Sequence, residues 1–328
     1  MRAMWTCFLR DCPLKGDAMT NHFETRKCCP CCGAEGGVLL FEKPFCDAPI
    51  RGYLEAFYGP QGGVEFSYLD GANFTLFECG QCGLIFQKHI PNDALMARLY
   101  DRWIDPERVF ALIDGRQGAA YFMLLAKQVA NVTEWFCKPP SELRCLDFGM
   151  GWGHWCRIAR GFGCEVAGVE LSEARIAFAR KAGLQVLGYD DLPGERFDYI
   201  NTEQVFEHIT QPFETLAYLK QSLKPGGLIR ISVPDGWGIG RKLARGNWLA
   251  QKGSRDSLNA VAPLEHINCF HYHAIVKLAA RAGLKEKVVP DVHSTSLLDA
   301  ARDVVKPHYF RLRGRRDTAL YFTPEEEV

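Results

Sequence analysis

The chain has 328 residues, of which 47% are apolar and 24% are charged, a composition typical of globular proteins with sizeable cores. Basic and acidic residues are equal in number, 39 of each, which disfavours a nucleic-acid binder because such proteins usually carry excess basic charge. No apolar run approaches the roughly 20 residues that span a bilayer and no signal peptide is evident, so we expect a cytoplasmic protein without a membrane partner.

The N-terminal segment, residues 1–26, carries no recognisable motif. Its first 18 positions show no periodic pattern, and Met19 is an alternative start to Met1. Chain termini without such a pattern are commonly poorly ordered. We therefore predict a disordered tail over residues 1–26 and assign it no function.

Fourteen cysteines are present, and several are grouped in CxxC pairs. In a reducing compartment such pairs are more often metal ligands than disulfides. The motif CCPCCG at 28–33 contains two overlapping pairs. The motif ECGQCG at 78–83 contains one, formed by Cys79 and Cys82 and followed by Gly83.

The second motif selects the frame of the first. In a metal knuckle the chain turns tightly after the second cysteine, and glycine tolerates the left-handed backbone that lets N–H groups point at the sulfurs. Only the frame that ends at Cys32 places a glycine, Gly33, at that position. The predicted metal ligands are Cys29, Cys32, Cys79 and Cys82.

Four thiolates suit a tetrahedral zinc ion with no open position, so the predicted site is structural. Spacing alone leaves two alternatives, an iron–sulfur cluster and a set of reduced, buried cysteines. The stretches VEFSYL, NFTLFE and GLIFQ are predicted to be short strands of a zinc ribbon over residues 27–90. A segment of this size has little core of its own, so a bound metal would stabilise its fold.

Residues 91–140 are predicted to form connecting helices. ALMARLYDRW and AAYFMLLAKQVANVTEWF carry apolar residues at helical spacing. Pro139 and Pro140 then end the helical segment, because proline cannot continue a helix. We therefore expect a larger domain to begin at residue 141.

The stretch RCLDFGMGWGHW predicts a nucleotide-type pocket. A short apolar run leads into Gly149, Gly151 and Gly153, and a helical pattern follows. Such a turn lets the backbone approach a ligand, and the helix start supplies N–H donors. The dinucleotide pattern GxGxxG does not fit, because its third glycine would fall on His154 or Cys156.

Asp147 followed by GxGxG resembles the first motif of the class I S-adenosylmethionine-dependent methyltransferases. The resemblance implies a Rossmann-like α/β sheet and S-adenosylmethionine as cofactor. CEVAGVELS agrees with it as a second strand that ends in Glu170, 21 residues after Gly149. An acidic side chain at that point can accept hydrogen bonds from both ribose hydroxyls. SEARIAFARKAG is then predicted to be a helix.

Later motifs of the same family follow in order. QVLGYDD reads as a third strand whose end would face the adenine, with Tyr189 a further candidate beside two aspartates. DYINTEQVFEH resembles the fourth-strand motif that lines the methionine part of the cofactor, and LKPGG ends a helix before the fifth strand LIRISVP. EKVVPDV and TALYF are predicted to close the domain, over residues 141–328, as an antiparallel hairpin. The predicted cofactor-binding residues are Asp147, Gly149, Gly151, Gly153, Glu170, Asp190, Asp191 and Gln204.

Two Glu-His pairs follow predicted strands, Glu207-His208 after the fourth and Glu265-His266 after the fifth. Open α/β sheets bind ligands at the carboxyl ends of their strands. A hydroxyl or an enolisable carbon needs a base before it can accept a methyl group, and histidine has a suitable pKa. The predicted catalytic residues are His266, His208 and Glu265, and which histidine is the base stays open.

The whole layout is similar to that of the nucleotide-sugar C-methyltransferases of deoxysugar pathways. Those enzymes carry a four-cysteine zinc domain before a class I methyltransferase domain, and a Glu-His pair in the loop corresponding to Glu265-His266. They have a tyrosine where this chain has Pro263, and a further C-terminal domain where this chain has only TPEEEV. The zinc and cofactor parts of the resemblance therefore carry over, whereas the substrate does not.

The resemblance implies a methyltransferase for a small-molecule or sugar-type acceptor, by C- or O-methylation. One alternative is an RNA methyltransferase, which the neutral charge and the lack of a long basic stripe disfavour. Another is a non-catalytic zinc-ribbon scaffold with a vestigial pocket, which the intact glycines and Glu170 disfavour. The acceptor atom and the oligomeric state are not predicted.

Overall fold

The computed structural model describes residues 22–112, 114–290 and 318–325. The chain divides into two compact units, each built from several segments. The first contains Met1–Gly115, Glu207–Gln211 and Gly236–Phe270, and the second contains Arg116–Phe206, Pro212–Asp235 and His271–Val328.

The described residues form strands and helices in alternation. The strands are β1 (Phe23–Thr25), β2 (Val38–Pro44), β3 (Asn73–Glu78), β4 (Ile85–Gln87), β5 (His89–Pro91), β6 (Arg144–Phe148), β7 (Glu165–Val169), β8 (Gln185–Val186), β9 (Phe197–Glu203), β10 (Leu223–Ser232), β11 (Asn268–Cys269), β12 (Leu284–Lys287) and β13 (Ala319–Pro324). The helices are α1 (Ala48–Tyr58), α2 (Asp93–Arg98), α3 (Pro106–Leu112), α4 (Ala119–Phe136), α5 (His154–Gly161), α6 (Glu173–Lys181), α7 (Pro212–Gln221), α8 (Ile239–Arg245) and α9 (Tyr272–Arg281). None of these helices has the length and apolar character that a membrane span requires.

The first unit contains a four-stranded antiparallel sheet in the order β11-β4-β3-β2 and a two-stranded sheet of β1 and β5. Helix α1 buries Ile50, Leu54 and Tyr58, which are spaced four residues apart and so lie on one face. These side chains share one apolar core with Trp103 and with Trp248 from the segment Gly236–Phe270.

Three observations in the first unit differ from the expectations. VEFSYL forms a single helical turn, Phe66–Tyr68, in place of a strand. The Glu65 carboxylate accepts hydrogen bonds from Arg98 at 2.6 Å and from the Trp103 indole at 2.9 Å, and such tertiary contacts override local strand preference. Residues 23–25, inside the predicted tail, form β1 because they pair with β5. The segment Gly236–Phe270, assigned from sequence to the larger domain, packs in this unit.

The second unit contains the seven-stranded sheet in the order β12-β13-β10-β9-β6-β7-β8. Five neighbouring strands of this sheet, β10, β9, β6, β7 and β8, run parallel to one another. Strand β13 is antiparallel to both β10 and β12. This arrangement confirms the predicted Rossmann-like class I methyltransferase sheet. The first arm of its closing hairpin lies earlier than predicted: β12 covers Leu284–Lys287, so among the described residues of EKVVPDV only Glu286 and Lys287 belong to it. Strand β9 is buried along nearly its whole length, as expected for a central strand covered on both faces.

Two further predicted elements of the second unit are shorter or begin elsewhere. The third strand covers only Gln185–Val186, and the acidic residues after it lie in a helical turn, Tyr189–Gly194. The stretch LKPGG belongs to β10, where the register shifts between Leu223 and Leu228, and not to helix α7. Pro225 lies within the shift, and a proline is tolerated at such an irregularity because no ladder hydrogen bond is required there.

Candidate functional site

In the glycine loop after β6, neighbouring side chains cover two of the three glycines and leave the third open. Gly149, Gly151 and Gly153 all have left-handed backbone, with φ of 77°, 55° and 70°. A Cβ atom at Gly149 would lie 2.6 Å from Val205 Cγ2, and one at Gly153 would lie 2.5 Å from Leu184 Cδ1. At Gly151, a Cβ would meet no atom of the described residues within 4 Å. The backbone is therefore accessible to a ligand at Gly151.

Glu170 lies directly after β7, and three backbone N–H groups hold its carboxylate. Oε2 accepts from Gly151 at 2.9 Å, and Oε1 accepts from Leu171 at 2.8 Å and Ser172 at 3.0 Å. A carboxylate offers about four acceptor sites, so this one keeps capacity for a ligand hydroxyl. The predicted acidic residue of the cofactor site thus lies against the open glycine.

Asp147 lies under this loop, in a buried polar network. Its carboxylate accepts a hydrogen bond from Asn201 at 2.8 Å and one from the Cys156 thiol at 3.6 Å. Burial raises the pKa of Asp147 to about 6. The Asn201 amide oxygen in turn accepts from Arg230 at 3.3 Å, and Arg230 pairs with Glu203. The network therefore links β6, β9 and β10 below the loop.

The turn after β8 presents one aromatic and two acidic candidates. The Tyr189 ring stacks on Tyr218, with centroids 4.6 Å apart and planes 18° from parallel, and the Tyr218 hydroxyl donates to the Tyr189 carbonyl. Asp190 and Asp191 are both exposed, and Asp191 accepts a hydrogen bond from the Gly188 N–H at 3.0 Å. Tyr189 is therefore the most fixed of these three candidate adenine contacts.

Gln204, just beyond β9, has a left-handed backbone with φ of 55°, and its N–H donates to the Ser232 carbonyl at 2.8 Å. Such a conformation is strained for a residue with a side chain and often marks a functional turn. The Gln204 side chain is exposed and so accessible to a ligand.

The four predicted cysteine ligands lie together in the first unit. Sγ of Cys29 is 3.5 Å from that of Cys82, Sγ of Cys32 is 3.5 Å from that of Cys79, and all four atoms lie within 4.8 Å of one another. A tetrahedral zinc ion with Zn–S bonds of about 2.3 Å requires S–S separations of about 3.8 Å. The spacing of the four sulfurs therefore fits such an ion.

The two CxxC turns have the same backbone geometry. Gly33 N–H donates to the Cys29 carbonyl at 2.9 Å, and Gly83 N–H donates to the Cys79 carbonyl at 2.8 Å. Gly33 and Gly83 are left-handed, with φ of 76° and 74°, as the choice of frame required.

Backbone N–H groups also point at the sulfurs in both turns. Cys29 receives hydrogen bonds from the backbone of Cys31 and Cys32, and Cys79 from that of Gln81 and Cys82. The hydrogen bond with the Cys82 thiol and then burial raise the pKa of Cys29, whereas the backbone N–H donors lower it. Such backbone donors stabilise thiolates, and crowded thiolates need a cation among them.

The two Glu-His pairs meet in the first unit. The Glu207 carboxylate and one ring nitrogen each of His208 and His266 lie within 4.8 Å of one another, and the two rings stand edge to face, 4.8 Å apart. His208 Nδ1–H donates to the Glu265 carbonyl at 3.0 Å, because a carbonyl can only accept. Nε2 of His208 is then the basic nitrogen, 3.8 Å from Glu207 Oε1.

The surroundings of His266 favour the neutral form of its ring. The ring is half-buried, but its Nδ1 atom is inaccessible to solvent and has no hydrogen-bond partner among the described residues. Burial and the neighbouring His208 lower the pKa of His266 well below its usual value, and a backbone hydrogen bond with Asn259 opposes the shift. A neutral imidazole with a free lone pair can accept a proton.

Glu265 is engaged at both its side chain and its backbone. Its carboxylate accepts a hydrogen bond from the Tyr58 hydroxyl at 2.9 Å, while its carbonyl accepts from His208. Leu264, just before it, is left-handed with φ of 74°. The pattern of contacts makes Glu265 a residue that orients His208.

The sequence profile of a family described as "Methyltransferase domain" matches residues 120–287, more than half of the chain. The chain belongs to this methyltransferase family. The match and the sheet order together confirm the predicted class I S-adenosylmethionine-dependent methyltransferase domain.

Two curated relatives of the methyltransferase are both named ubiquinone biosynthesis O-methyltransferase. The one from Bradyrhizobium sp. (strain ORS 278) is 36% identical over 102 residues, which cover 28% of this chain and 40% of the relative. The one from Cereibacter sphaeroides (strain ATCC 17025 / ATH 2.4.3) is 33% identical over 105 residues, covering 29% and 42%. The chain thus spans about two fifths of the length of these relatives.

Solved structures similar to the methyltransferase include DesVI of Streptomyces venezuelae, with 20% identity and a TM-score of 0.33 over 41% of this chain and 62% of that chain. The plantazolicin methyltransferase BamL, solved in complex with a triazolic desmethylPZN analog and SAH, has 16% identity and a TM-score of 0.45 over 70% of this chain and 92% of that one.

Several residues around the two Glu-His pairs were not predicted from the sequence. Tyr58 lies in a helix between the two cysteine pairs, and its apolar spacing marks it only as a core residue. Glu207 was visible as half of a Glu-His pair, but nothing in the sequence places it beside His266. Arg26 and Gln87 come from distant parts of the chain and contact the segment around His266, at Ile267 and at His266 itself. A single sequence carries no signal for such pairings.

Proposed function

We propose that the protein is an enzyme that transfers a methyl group from S-adenosylmethionine to a small-molecule or sugar-type acceptor, at carbon or oxygen. The observation that carries this proposal is the pairing of the open Gly151 with the Glu170 carboxylate, which binds the Gly151 N–H at 2.9 Å. A ribose with two adjacent hydroxyls fits a carboxylate that is fixed next to accessible backbone.

Residues of the second unit would hold the cofactor. Gly151 would form the close backbone contact, in a turn shaped by Gly149 and Gly153. Glu170 would accept from a ribose hydroxyl, and Tyr189 would offer an aromatic face to the adenine. When bound, S-adenosylmethionine supplies an electrophilic methyl group together with its own leaving group. The chain therefore has to orient the acceptor and to remove its proton.

The histidine cluster supports the proton-accepting role. His266 is kept neutral, and His208 is oriented through the Glu265 carbonyl so that its Nε2 is basic. Glu207 and His208 follow the central strand β9 by four and five residues, where open α/β sheets collect ligand-binding loops. In this proposal His266 takes the acceptor proton, His208 assists it, and Glu265 positions His208.

The acceptor class rests on charge and on the relatives. Two matched proteins are named O-methyltransferases of ubiquinone biosynthesis, which favours a small organic acceptor. The equal numbers of basic and acidic residues disfavour RNA, whose binding depends on basic contacts with phosphates.

Incubation with methyl-labelled S-adenosylmethionine and acceptor panels tests this proposal. The panels would be nucleotide sugars, free phenols and transfer RNA, and the readout would be labelled product together with S-adenosylhomocysteine. We expect label in one of the first two panels. Label in RNA alone would contradict the acceptor class, and cofactor binding without turnover on any panel would favour the scaffold alternative.

The four-cysteine cluster is proposed to bind zinc as a structural ion. Four thiolates fill a tetrahedral ion and leave no position for a substrate, and the matched turns with their N–H donors support the assignment. An iron–sulfur cluster would use the same ligand types and is distinguished by its colour and iron content.

Replacement of Cys29 or Cys79 by serine should release the metal and destabilise the first unit. A structural zinc site contributes folding free energy, because its ligands are brought together only in the folded state. Elemental analysis should give one zinc per wild-type chain, and limited proteolysis should attack residues 27–90 in the variants. The cofactor affinity should persist.

The matched controls for this prediction are Cys46→Ser, an exposed thiol, and the double replacement of Cys28 and Cys31. Both controls should keep the metal. A purified wild-type protein without metal, or metal loss in the Cys28 and Cys31 double variant but not in Cys29→Ser, would refute the assignment.

A further inference from the structure

Each CxxC turn is flanked by a polar side chain that reaches the histidine segments. Arg26 precedes Cys29 by three residues, and Gln87 follows Cys82 by five. Both belong to the first unit, as do the segments 207–211 and 262–268 that they contact. Arg26 and Gln87 therefore link the cysteine cluster to the histidine cluster. The cysteine cluster is the set of four predicted ligands, and the histidine cluster is Glu207, His208 and His266.

Arg26 joins both histidine segments through its guanidinium group. Nη1 donates to the Ile267 carbonyl and to the Asn268 side-chain oxygen, both at 2.9 Å, and Nη2 donates to the Thr210 carbonyl at 3.1 Å. A planar guanidinium holds several acceptors in one fixed geometry. Thr210 lies two residues after His208, and Ile267 lies next to His266, so one side chain fixes both loops.

Gln87 fixes the second histidine segment from β4. Its Nε2 donates to the Ala262 carbonyl at 3.2 Å and to the His266 carbonyl at 3.1 Å, and its backbone N–H donates to the Ile267 carbonyl at 3.0 Å. The side chain is fully buried. Buried hydrogen bonds of this kind are costly to lose.

Asn268 connects the two histidine segments with each other. Its backbone N–H donates to the Glu207 carbonyl at 3.0 Å, and its side-chain amide donates to the Ile209 carbonyl at 2.6 Å. Since Arg26 holds the remaining oxygen of this amide, Arg26, Asn268 and the two segments form one connected network. A shift of Arg26 would therefore reach the backbone on either side of His208.

The residues that flank the two CxxC turns are also bonded to each other. The Arg26 backbone N–H donates to the Lys88 carbonyl at 2.9 Å, next to Gln87, and the guanidinium interacts electrostatically with the thiol groups of Cys29 and Cys28. A metal ion held by both turns would cross-link them and so fix the positions of Arg26 and Gln87 relative to each other.

We propose that Arg26 and Gln87 are positioning residues that couple the four-cysteine metal site to the His208 and His266 segments. The metal-bound site keeps Arg26 in place, and Arg26 and Gln87 hold the loops that orient the two rings. The metal is thus required for acceptor chemistry as well as for the stability of the first unit. This inference deepens the proposed function, and its structural part is measurable without turnover.

The test uses the full chain as Arg26→Gln, Arg26→Lys and Gln87→Leu, with Arg98→Gln as the matched control. Arg98 lies in the same unit, and its guanidinium contacts Glu65 and the Tyr68 ring, neither of which belongs to either cluster. Three quantities are compared: zinc affinity against a chelator, the ring signals of His208 and His266 by NMR with labelled histidine, and affinity for S-adenosylhomocysteine.

For Arg26→Gln we expect zinc affinity to fall by about tenfold or more, since an interaction with a charged group is removed. The ring chemical shifts of both histidines should also change. Arg26→Lys should restore zinc affinity through its charge but not the histidine signals, because it lacks the planar fork. Gln87→Leu should move the His266 signal and keep the zinc. All variants should keep cofactor affinity.

Unchanged histidine signals in both Arg26→Gln and Gln87→Leu would overturn the coupling, as would an equal shift in Arg98→Gln. Removing zinc from the wild type by chelation provides the check that needs no variant: it should move the same two histidine signals. If the wild type transfers no methyl group, the proposed function fails, whereas the zinc and histidine measurements still decide the coupling.

Discussion

Replacement of His266 by alanine is expected to lower turnover by about 100-fold or more, the usual contribution of a general base, while cofactor affinity stays nearly unchanged. The residue belongs to the first unit and the candidate cofactor residues belong to the second. Its Nδ1 atom is buried and has no hydrogen-bond partner among the described residues, so this nitrogen is not engaged within the described part of the chain. Turnover is measured at saturating cofactor with an acceptor found by the labelling assay.

The control for His266→Ala is His89→Ala, a histidine of the same unit that bonds the Thr25 hydroxyl at 2.9 Å near the surface. This variant should retain wild-type turnover. His208→Ala should reduce turnover as well, because His208 lies edge to face with His266. Equal turnover in His266→Ala and the wild type would transfer the role of base to His208 or to the substrate itself.

The pH dependence follows from the same environment. Burial, with His208 and Lys252 acting in the same direction, lowers the pKa of His266 well below its usual value, so the acid limb of the rate profile should lie below about pH 6.5. The same pKa shift also determines how the free energy of unfolding changes with pH. As pH falls through about 6.5, the unfolded chain binds a proton that the folded chain does not, and the free energy of unfolding should decrease.

Replacement of Glu170 by alanine should weaken binding of S-adenosylhomocysteine by about 1–3 kcal/mol, roughly 5- to 150-fold, because buried ribose hydroxyls would lose a charged acceptor. The Gly151 N–H would lose its partner at the same time, which loosens the open part of the glycine loop. The measurement is calorimetric titration of the purified chain.

Glu173→Ala is the matched control for Glu170→Ala, because it removes an equal charge three residues away from an exposed position. Its affinity should equal that of the wild type. An unchanged affinity in Glu170→Ala would show that the ribose is bound elsewhere.

Much of the fold could be predicted from the sequence where the pattern is local. The helix AAYFMLLAKQVANVTEWF and the strand NFTLFE have the predicted bounds, Ala119–Phe136 and Asn73–Glu78, because periodicity and composition agree in both. The choice of frame among the first cysteines followed from one backbone requirement, a left-handed residue after the second ligand. Gly33 and Gly83 both meet it.

The remaining features depend on partners that are distant in sequence. VEFSYL has the composition of a strand, but Glu65 is held by Arg98 and Trp103 and the segment turns. The segment Gly236–Phe270 lies between two elements of the second unit along the chain, yet Trp248 packs in the core of the first. The Tyr58 bond to Glu265 joins residues 207 positions apart, and periodicity cannot indicate such a pairing.

The central claim is that the second unit binds S-adenosylmethionine, and titration of the wild-type chain tests it most directly. Calorimetry with S-adenosylhomocysteine, and separately with NAD, compares the two cofactor classes that glycine loops of this kind bind. The account predicts saturable binding of one S-adenosylhomocysteine per chain and no measurable binding of NAD. Absence of S-adenosylhomocysteine binding, or a preference for NAD, would contradict it.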